Sequence, residues 1–186
     1  LDPSIINDYG VEPGNYNLII ARLEPENNLE IMLQGISNSE SNRITLVIGN
    51  HETTYGEYLK EKYTDSKIRF LKSNFDKHTL DHLRYFAHIY LHGHSVGGTN
   101  PSLLEAMACS AMILSHGNDF NRAVLGDDAN YFLDEVDVSN ALDHLERDEI
   151  QEQRIYKNLE KIRERFNWQV VTDQYELAME QALISR

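Results

Sequence analysis

HGHSVGGTNPSLLEAMAC, from His92 to Cys109, is the stretch of sequence that decides the fold. The apolar segment His88–Leu91 precedes it, the glycine pair Gly97–Gly98 lies within it, and a strongly helical run begins at Pro101. This order predicts a strand, a glycine loop and a helix. Glycines let a ligand approach the backbone, and the free N–H groups at the start of a helix attract phosphate. The stretch therefore predicts a phosphate-binding loop.

Glu105 lies one turn into the predicted helix. Side chains on a helix lean toward its N-terminus, so this carboxylate leans back toward a ligand in the loop. A carboxylate suits sugar hydroxyls rather than phosphates, and the combination predicts a nucleoside diphosphate whose ribose contacts Glu105. A tight turn before a core helix, with Glu105 in solvent, explains the same spacing.

Alternation of short apolar runs with helical patterns predicts an α/β domain with a doubly wound parallel sheet of the Rossmann type. The predicted strands are Tyr16–Leu23, Ile44–Ile48, Ile68–Lys72, His88–His92, Met112–Ser115 and Tyr131–Leu133. The predicted helices are Asn28–Ile36, Thr54–Lys62, Lys77–Tyr85 with Asp76 as its cap, Pro101–Cys109, and one from a Ser139 cap to Glu146. Two apolar stripes, from Ile155 to Phe166 and from Trp168 to Ala182, predict C-terminal helices that pack on the core.

GGTNPSLLEAMAC resembles the donor-site signature of family-4 glycosyltransferases, which are retaining enzymes with two Rossmann-like domains (the GT-B type). The usual signature has one glutamate and a second glutamate eight positions later. Glu105 matches the second, whereas Gly97 stands in place of the first, which contacts the donor sugar in the family. The resemblance implies that Gly98, Thr99 and Asn100 bind the donor diphosphate and that Glu105 binds the ribose.

A second motif lies upstream, where the strand Tyr16–Leu23 ends in Ala-Arg-Leu and EPENN follows. It resembles the family's G-R-L-x-x-E-K motif, whose arginine and lysine clamp the donor diphosphate. Arg22 matches the arginine, and its planar fork suits phosphate oxygens. Asn27, a neutral donor, stands at the lysine position. The resemblance thus places Arg22 and Asn27 at the diphosphate, although Arg22 is also compatible with an ordinary surface position at a strand end.

With FNRAVLGD (Phe120–Asp127), these motifs most resemble a bacterial rhamnosyltransferase subgroup, whose work in polysaccharide biosynthesis implies a glycan or lipid-linked acceptor. We therefore expect dTDP-rhamnose as donor rather than a UDP- or GDP-hexose. Gly97 has no side chain that could accept hydrogen bonds from hexose hydroxyls, so the site should penalise a 6-deoxy sugar less than a fully hydroxylated one. His94, Asn121 and Arg122 join Gly97 as candidate contacts to the donor sugar.

Two other functions fit the same motifs. One is a sugar epimerase of the GT-B type, and the other is a non-catalytic module that binds a nucleotide sugar. Gly97 and Asn27, which replace an acid and a base of the family, favour the module. No residue of the chain is predicted to be a nucleophile or general base.

The chain has 186 residues and begins with leucine, a length that suits one domain with a substantial core. Since the resembled family has two domains, we expect residues 1–14 to be a linker from a missing N-terminal domain. Residues 15–186 would form the nucleotide-sugar-binding domain with its C-terminal helices. The last helix of the family crosses back to the N-terminal domain, so part of the Trp168–Met179 face would be exposed without that domain. We expect this domain alone to be inactive.

The net charge of −13 argues against binding to nucleic acid and against direct docking on anionic lipid. No apolar run approaches the ~18 residues of a membrane helix. We therefore expect a cytoplasmic protein, in which only the missing domain would contact the inner membrane peripherally. Cys109 fits a buried small residue better than a nucleophile. The histidine pairs 78/82 and 92/94 lack a third ligand, so neither a metal nor another cofactor is expected.

Overall fold

The computed structural model describes residues 1–184 and contains a parallel sheet of six strands. The strand order is β3-β2-β1-β4-β5-β6, the doubly wound order of a Rossmann-like α/β fold. This confirms the predicted fold class. The strands are β1 Tyr16–Ile20, β2 Ile44–Ile48, β3 Ile68–Leu71, β4 Ile89–His92, β5 Ile113–His116 and β6 Asn130–Phe132.

Helices connect the strands and cover both faces of the sheet. The helices are α1 Leu29–Asn38, α2 Thr54–Lys62, α3 Lys77–Phe86, α4 Pro101–Ala108, α5 Asp119–Leu125, α6 Glu135–His144, α7 Glu149–Arg165 and α8 Trp168–Ile184. Two short 3₁₀ helices, Pro3–Tyr9 and Pro25–Asn27, precede β1 and α1.

Side-chain caps set several helix starts. Asp76 caps α3 as predicted, since its carboxylate accepts from the N–H of Thr79. The prediction that α6 starts at Ser139 was wrong, because Asp134 accepts from two backbone N–H groups and starts the helix one turn earlier. Helix α5 was not predicted; it has only seven residues, and Asn118 caps it.

The core lies on both faces of the sheet, and the central strands are its most buried part. Along β1, Leu18 packs into one apolar layer and Ile19 into the other. Such continuous burial is typical of parallel strands covered by helices on both faces, and it explains their uninterrupted apolar sequence.

The N-terminal segment packs on the domain. Ile6 is fully buried, Val11 is largely buried, and Arg69 Nη1 donates to the carbonyl of Tyr9 over 2.5 Å. The segment is therefore part of the folded unit in this structure. Its role as a link to a preceding domain stays a prediction.

The two C-terminal helices differ. Helix α7 packs against the domain through buried Ile155 and partly buried Ile162. Helix α8 leaves large apolar side chains in solvent, among them Trp168, Tyr175 and Met179. The prediction that the second stripe packs on the core was therefore wrong, because among the described residues this face has too few neighbours to bury it. That a second domain covers this exposed face stays a prediction.

Candidate nucleotide-sugar site

The candidate site lies where β1 and β4 run side by side in the middle of the sheet. From this pair the chain winds outward in opposite directions, to β2 and β3 on one side and to β5 and β6 on the other. The loops that follow β1 and β4 therefore diverge and leave a crevice at the carboxyl edge, the usual ligand position in such sheets. Both motifs of the sequence analysis follow these two strands.

The two loops are tied together by hydrogen bonds between residues 26–28 and 93–95, which we call the interloop brace. His94 Nδ1 donates to Asn27 Oδ1 over 2.8 Å, and Asn28 Nδ2 donates to the carbonyl of Gly93 over 2.7 Å. The N–H and the hydroxyl of Ser95 both donate to the carbonyl of Glu26. These four hydrogen bonds fix the distance between the two motifs.

Asn27 is buried within the brace. Its Nδ2 donates to the carbonyl of Arg22 over 2.7 Å, and its Oδ1 accepts from His94. The structure therefore places Asn27 as a link between loops, and its predicted contact with the diphosphate stays a prediction.

Gly93 is required by the brace for steric reasons. A Cβ atom at this position would lie 2.0 Å from the carbonyl oxygen of Asn27 and 2.7 Å from the Met32 methyl group. Any side chain would therefore push the β1 and β4 loops apart.

The segment after β5, from Asn118 into α5, supports the brace from the other side. Asn118 and Asn121 each donate through Nδ2 to the carbonyl of His94 over 2.9 Å. Arg122 donates through Nε to the carbonyl of Gly117, and its guanidinium lies over the Tyr131 ring at 4.1 Å from the centroid. Asn121 thus supports His94 and Arg122 is directed to Tyr131; for both residues a contact with the donor sugar stays a prediction.

Arg22 lies at the junction of two neighbouring cavities in the crevice. The smaller cavity, of about 150 Å³, is lined by residues of both motifs, including His92, His94 and Asn100. The larger cavity, of about 740 Å³, extends from Arg22 to Glu105. The Arg22 side chain is 77% exposed and its nearest carboxylate, that of Glu26, lies 3.9 Å away. Its guanidinium is therefore available to an anionic ligand.

Glu105 lies in the wall of the larger cavity and is held by Arg84. Arg84, only 2% exposed, donates through Nη2 to Glu105 Oε2 and through Nη1 to Asp81 over 3.3 Å. The Glu105 side chain remains 47% exposed. The buried arginine thus orients one carboxylate oxygen, and the carboxylate can still accept hydrogen bonds from ligand hydroxyls.

Sequence reasoning missed two residues of the larger cavity, Arg84 and Phe75. Arg84 precedes its partner Glu105 by 21 residues, and no local spacing signals such a pair. Phe75, in the loop after β3, lines the cavity although its side chain is 91% exposed. An aromatic ring so exposed beside a cavity is a suitable surface for a flat ligand group.

The glycine loop, residues 96–99, has an open backbone. Gly97 has φ +84°, and a Cβ added at Gly97 or at Gly98 would meet no atom within 4 Å. The N–H groups of Gly98 and Thr99 have no partner within the described part of the chain. The N–H of Asn100 also has no partner among the described residues, while its side-chain Oδ1 caps α4 by accepting from the N–H of Ser102 over 2.9 Å. The free donors for phosphate thus lie in the loop rather than in the first turn of the helix.

The remaining reactive side chains do not form a second centre. Burial raises the pKa of the Cys109 thiol to about 12, so it stays protonated at neutral pH and is a poor nucleophile. Among residues 1–184, no group of three His, Cys, Asp or Glu side chains could hold a metal ion. No helix in the described range is long and apolar enough to cross a membrane.

A groove of about 960 Å³ lies at the opposite, amino edge of the sheet, and its lining includes Arg43 and Asp143. Arg43 pairs with Glu146 at 3.2 Å, so its charge is already balanced. The groove also lies away from the loops that follow the strands. It is therefore a weaker candidate than the crevice at the carboxyl edge.

Comparison with known proteins gives a family match. Residues 4–162, most of the chain, match the family model described as Glycosyl transferases group 1. Among curated protein sequences, none matches the chain.

Solved glycosyltransferase structures share the fold. HepE from Anabaena, solved with UDP and glucose, superposes with a TM-score of 0.78 at 15% identity, over 98% of this chain and 53% of that one. Sucrose-phosphate synthase from Thermosynechococcus elongatus superposes with a TM-score of 0.76 at 15% identity, over 98% of this chain and 49% of that one. The C-terminal domain of LpcC, a group 1 glycosyl transferase from Francisella tularensis, superposes with a TM-score of 0.68 at 15% identity, over 89% of this chain and 93% of that one. The chain thus spans about half the length of HepE and of the synthase.

Proposed function

This chain belongs to the glycosyl transferases group 1 family, and on that premise we propose that it is the donor-binding domain of a retaining glycosyltransferase. The observation that carries the proposal is the convergence of Arg22 and the Arg84-oriented carboxylate of Glu105 on one crevice. The open N–H groups of the glycine loop lie in the chain between His94 and Asn100, which line the same crevice. Cationic, backbone and carboxylate groups in this order suit a diphosphate followed by a ribose.

The proposed donor lies along the two joined cavities. Arg22 and the N–H groups of Gly98 and Thr99 bind the diphosphate, and Glu105 accepts hydrogen bonds from the ribose hydroxyls. When the sugar leaves, negative charge grows on the diphosphate. Fixed donors that already face this position stabilise that charge without having to reorganise.

Phe75 extends the proposed site beyond the ribose. Its ring stands in solvent at the larger cavity, on the loop after β3. A nucleobase that stacks on this ring would gain affinity with little base preference, because every base presents a flat π face.

The favoured sugar is rhamnose, carried on dTDP. Gly97 offers no side chain, and the space around its missing Cβ is open. A site without the carboxylate of the family glutamate at this position loses less binding free energy when the sugar lacks a hydroxyl. HepE was solved with UDP-glucose, so a neighbour of the same fold takes a hexose. The rhamnose assignment therefore rests on Gly97 and on the motif resemblance, not on the fold.

The other half of the enzyme would supply the acceptor site and the catalytic groups, with a glycan or a lipid-linked sugar as acceptor. HepE and the sucrose-phosphate synthase are each about twice the length of this chain. The exposed apolar face of α8 suits a surface that packs on such a domain. We infer that the 186-residue chain binds the donor but does not transfer sugar by itself.

A non-catalytic nucleotide-sugar module is the second candidate. The brace favours it, because Asn27, at the position of the family lysine, is neutral and bonded within the protein. Turnover by a protein that contains both domains separates the two functions: transfer of rhamnose from dTDP-rhamnose supports the enzyme, and binding without turnover supports the module.

Calorimetric titration of this chain with dTDP and with UDP tests the proposed site directly. Arg22→Ala should weaken binding by about tenfold or more, since it removes charged hydrogen bonds to phosphate. Glu105→Gln should also weaken binding, because an amide oxygen is a poorer acceptor than a carboxylate for the ribose hydroxyls. Its effect should be smaller than that of Arg22→Ala. Arg163→Ala and Glu164→Ala, both exposed on α7, are the matched controls. Unchanged affinity in both site variants would place the nucleotide elsewhere.

A further inference from the structure

The two histidines on either side of Gly93 have different environments. His94 belongs to the interloop brace: its Nδ1 donates to Asn27, and its carbonyl accepts from Asn118 and Asn121. His94 therefore holds three loops in register. No comparable set of bonds surrounds His92.

His92 is the last residue of β4 and is only 5% exposed, yet it lines the smaller cavity beside Arg22. Within residues 1–184, neither of its ring nitrogens has a hydrogen-bond partner, and Nε2 is fully enclosed. A buried polar group without a partner costs free energy, and an apolar residue would fill the same position without that cost. The fold itself therefore gives no reason for an imidazole here.

The environment of His92 also fixes its charge. Burial, with a smaller contribution from His94, lowers the pKa of His92 to about 3. The ring is therefore neutral at physiological pH, with one N–H donor and one acceptor nitrogen. The charged and titratable side chains that line the same cavity are Arg22 and His94. Arg22 supplies positive charge at the solvent side, and His92 supplies a neutral donor at the buried side.

We propose that His92 contacts the donor diphosphate, with Nδ1–H, on the ring nitrogen that is not enclosed, donating to a phosphate oxygen in the smaller cavity while Arg22 binds the same group from outside. This inference rests on the proposed function. The cavity, about 150 Å³, is well above the ~30 Å³ that one water occupies in the liquid. A phosphate oxygen there would give Nδ1 of His92 the hydrogen-bond partner that it lacks within the described residues.

The test compares dTDP binding to the chain and to His92→Phe by calorimetry. Phenylalanine keeps the ring shape and removes the unpaired nitrogens, so stability should be unchanged or higher. Affinity for dTDP should fall about tenfold, the loss of one hydrogen bond to a charged group. His88→Gln is the control. His88 immediately precedes β4, at the end of the strand opposite to His92, and is also buried, but its Nε2 bonds to the carbonyl of Leu145. Its substitution should lower stability and leave dTDP affinity unchanged.

Nitrogen NMR of the histidine side chains gives a second readout in the unaltered protein. The ring nitrogens of His92 should shift when dTDP binds, and those of His88 should not. If the unaltered chain does not bind dTDP, both the proposed function and this inference fail. If it binds and Arg22→Ala weakens binding, but His92→Phe binds normally and the His92 nitrogens do not shift, the inference fails alone.

Discussion

In the interloop brace, the polar groups of residues 26–28 and 93–95 pair with one another across the crevice, whereas a few residues away the N–H groups of Gly98 and Thr99 have no partner in the described range. The brace uses its polar groups to hold the loops, and the glycine loop keeps its own free for a ligand. Arginines show the same division, because Arg84 is buried against carboxylates and Arg22 stands in solvent. Residues of one motif can therefore serve stability or binding, and sequence position alone does not separate them.

The largest expected effect comes from Gly93→Ala. Because the new methyl group would lie 2.0 Å from the Asn27 carbonyl oxygen, the loops must separate, and we expect a loss of about 3 kcal/mol in the free energy of unfolding. Gly98→Ala is the matched control, since its methyl group would meet nothing within 4 Å. Chemical denaturation should show a change below about 0.5 kcal/mol in the free energy of unfolding of this control. Its dTDP affinity should fall, because the methyl group obstructs the approach of the phosphates to the loop backbone. Equal stabilities of the two variants would contradict the division between brace and glycine loop.

Asn27→Ala should have the next largest effect. The substitution leaves the Arg22 carbonyl and His94 Nδ1 without their partner, and we expect a loss of about 2 kcal/mol on unfolding. Asn42→Ala, at an exposed loop position, serves as the control and should be nearly neutral. Normal stability together with weak dTDP binding would instead make Asn27 a ligand residue, as the motif resemblance implies.

The pH dependence of stability tests whether the fold holds His92 in its neutral form. The pKa of His92 is about 3 in the folded chain and about 6.5 in an unfolded one. Below pH 6.5 the unfolded chain binds a proton that the folded chain does not, so stability falls as the pH falls. Between pH 7 and pH 5.5 the natural chain should lose about 1 kcal/mol more than His92→Gln. Parallel pH profiles would show that the imidazole is not held neutral.

The smallest expected effect belongs to Phe75→Ala. Because this ring is almost wholly in solvent, its removal should leave thermal unfolding unchanged. Loss of stacking should weaken dTDP by about fivefold, near the lower end of base–aromatic contributions. Inorganic pyrophosphate carries no base, and its binding should not change. An equal loss for both ligands would place Phe75 away from the base.

The fold could be predicted because its signals are local. The continuous apolar runs of β2 and β4 indicate buried parallel strands, and Pro101 marks the first residue of α4 as observed. The site was harder to predict from sequence. The role of Asn27 depends on His94, far along the chain, and the orientation of Glu105 depends on Arg84 on another helix. Such pairings arise only when the loops meet, so a motif identifies the neighbourhood of the ligand but not the task of each residue.

A crystal structure of this chain with dTDP or UDP tests the central claim most directly. We expect the diphosphate beside Arg22, His92 and the N–H groups of Gly98 and Thr99, the ribose at Glu105, and the brace unchanged from the free protein. A nucleotide bound in the groove at the amino edge, near Arg43 and Asp143, or one whose phosphates lie away from Arg22, would contradict the account.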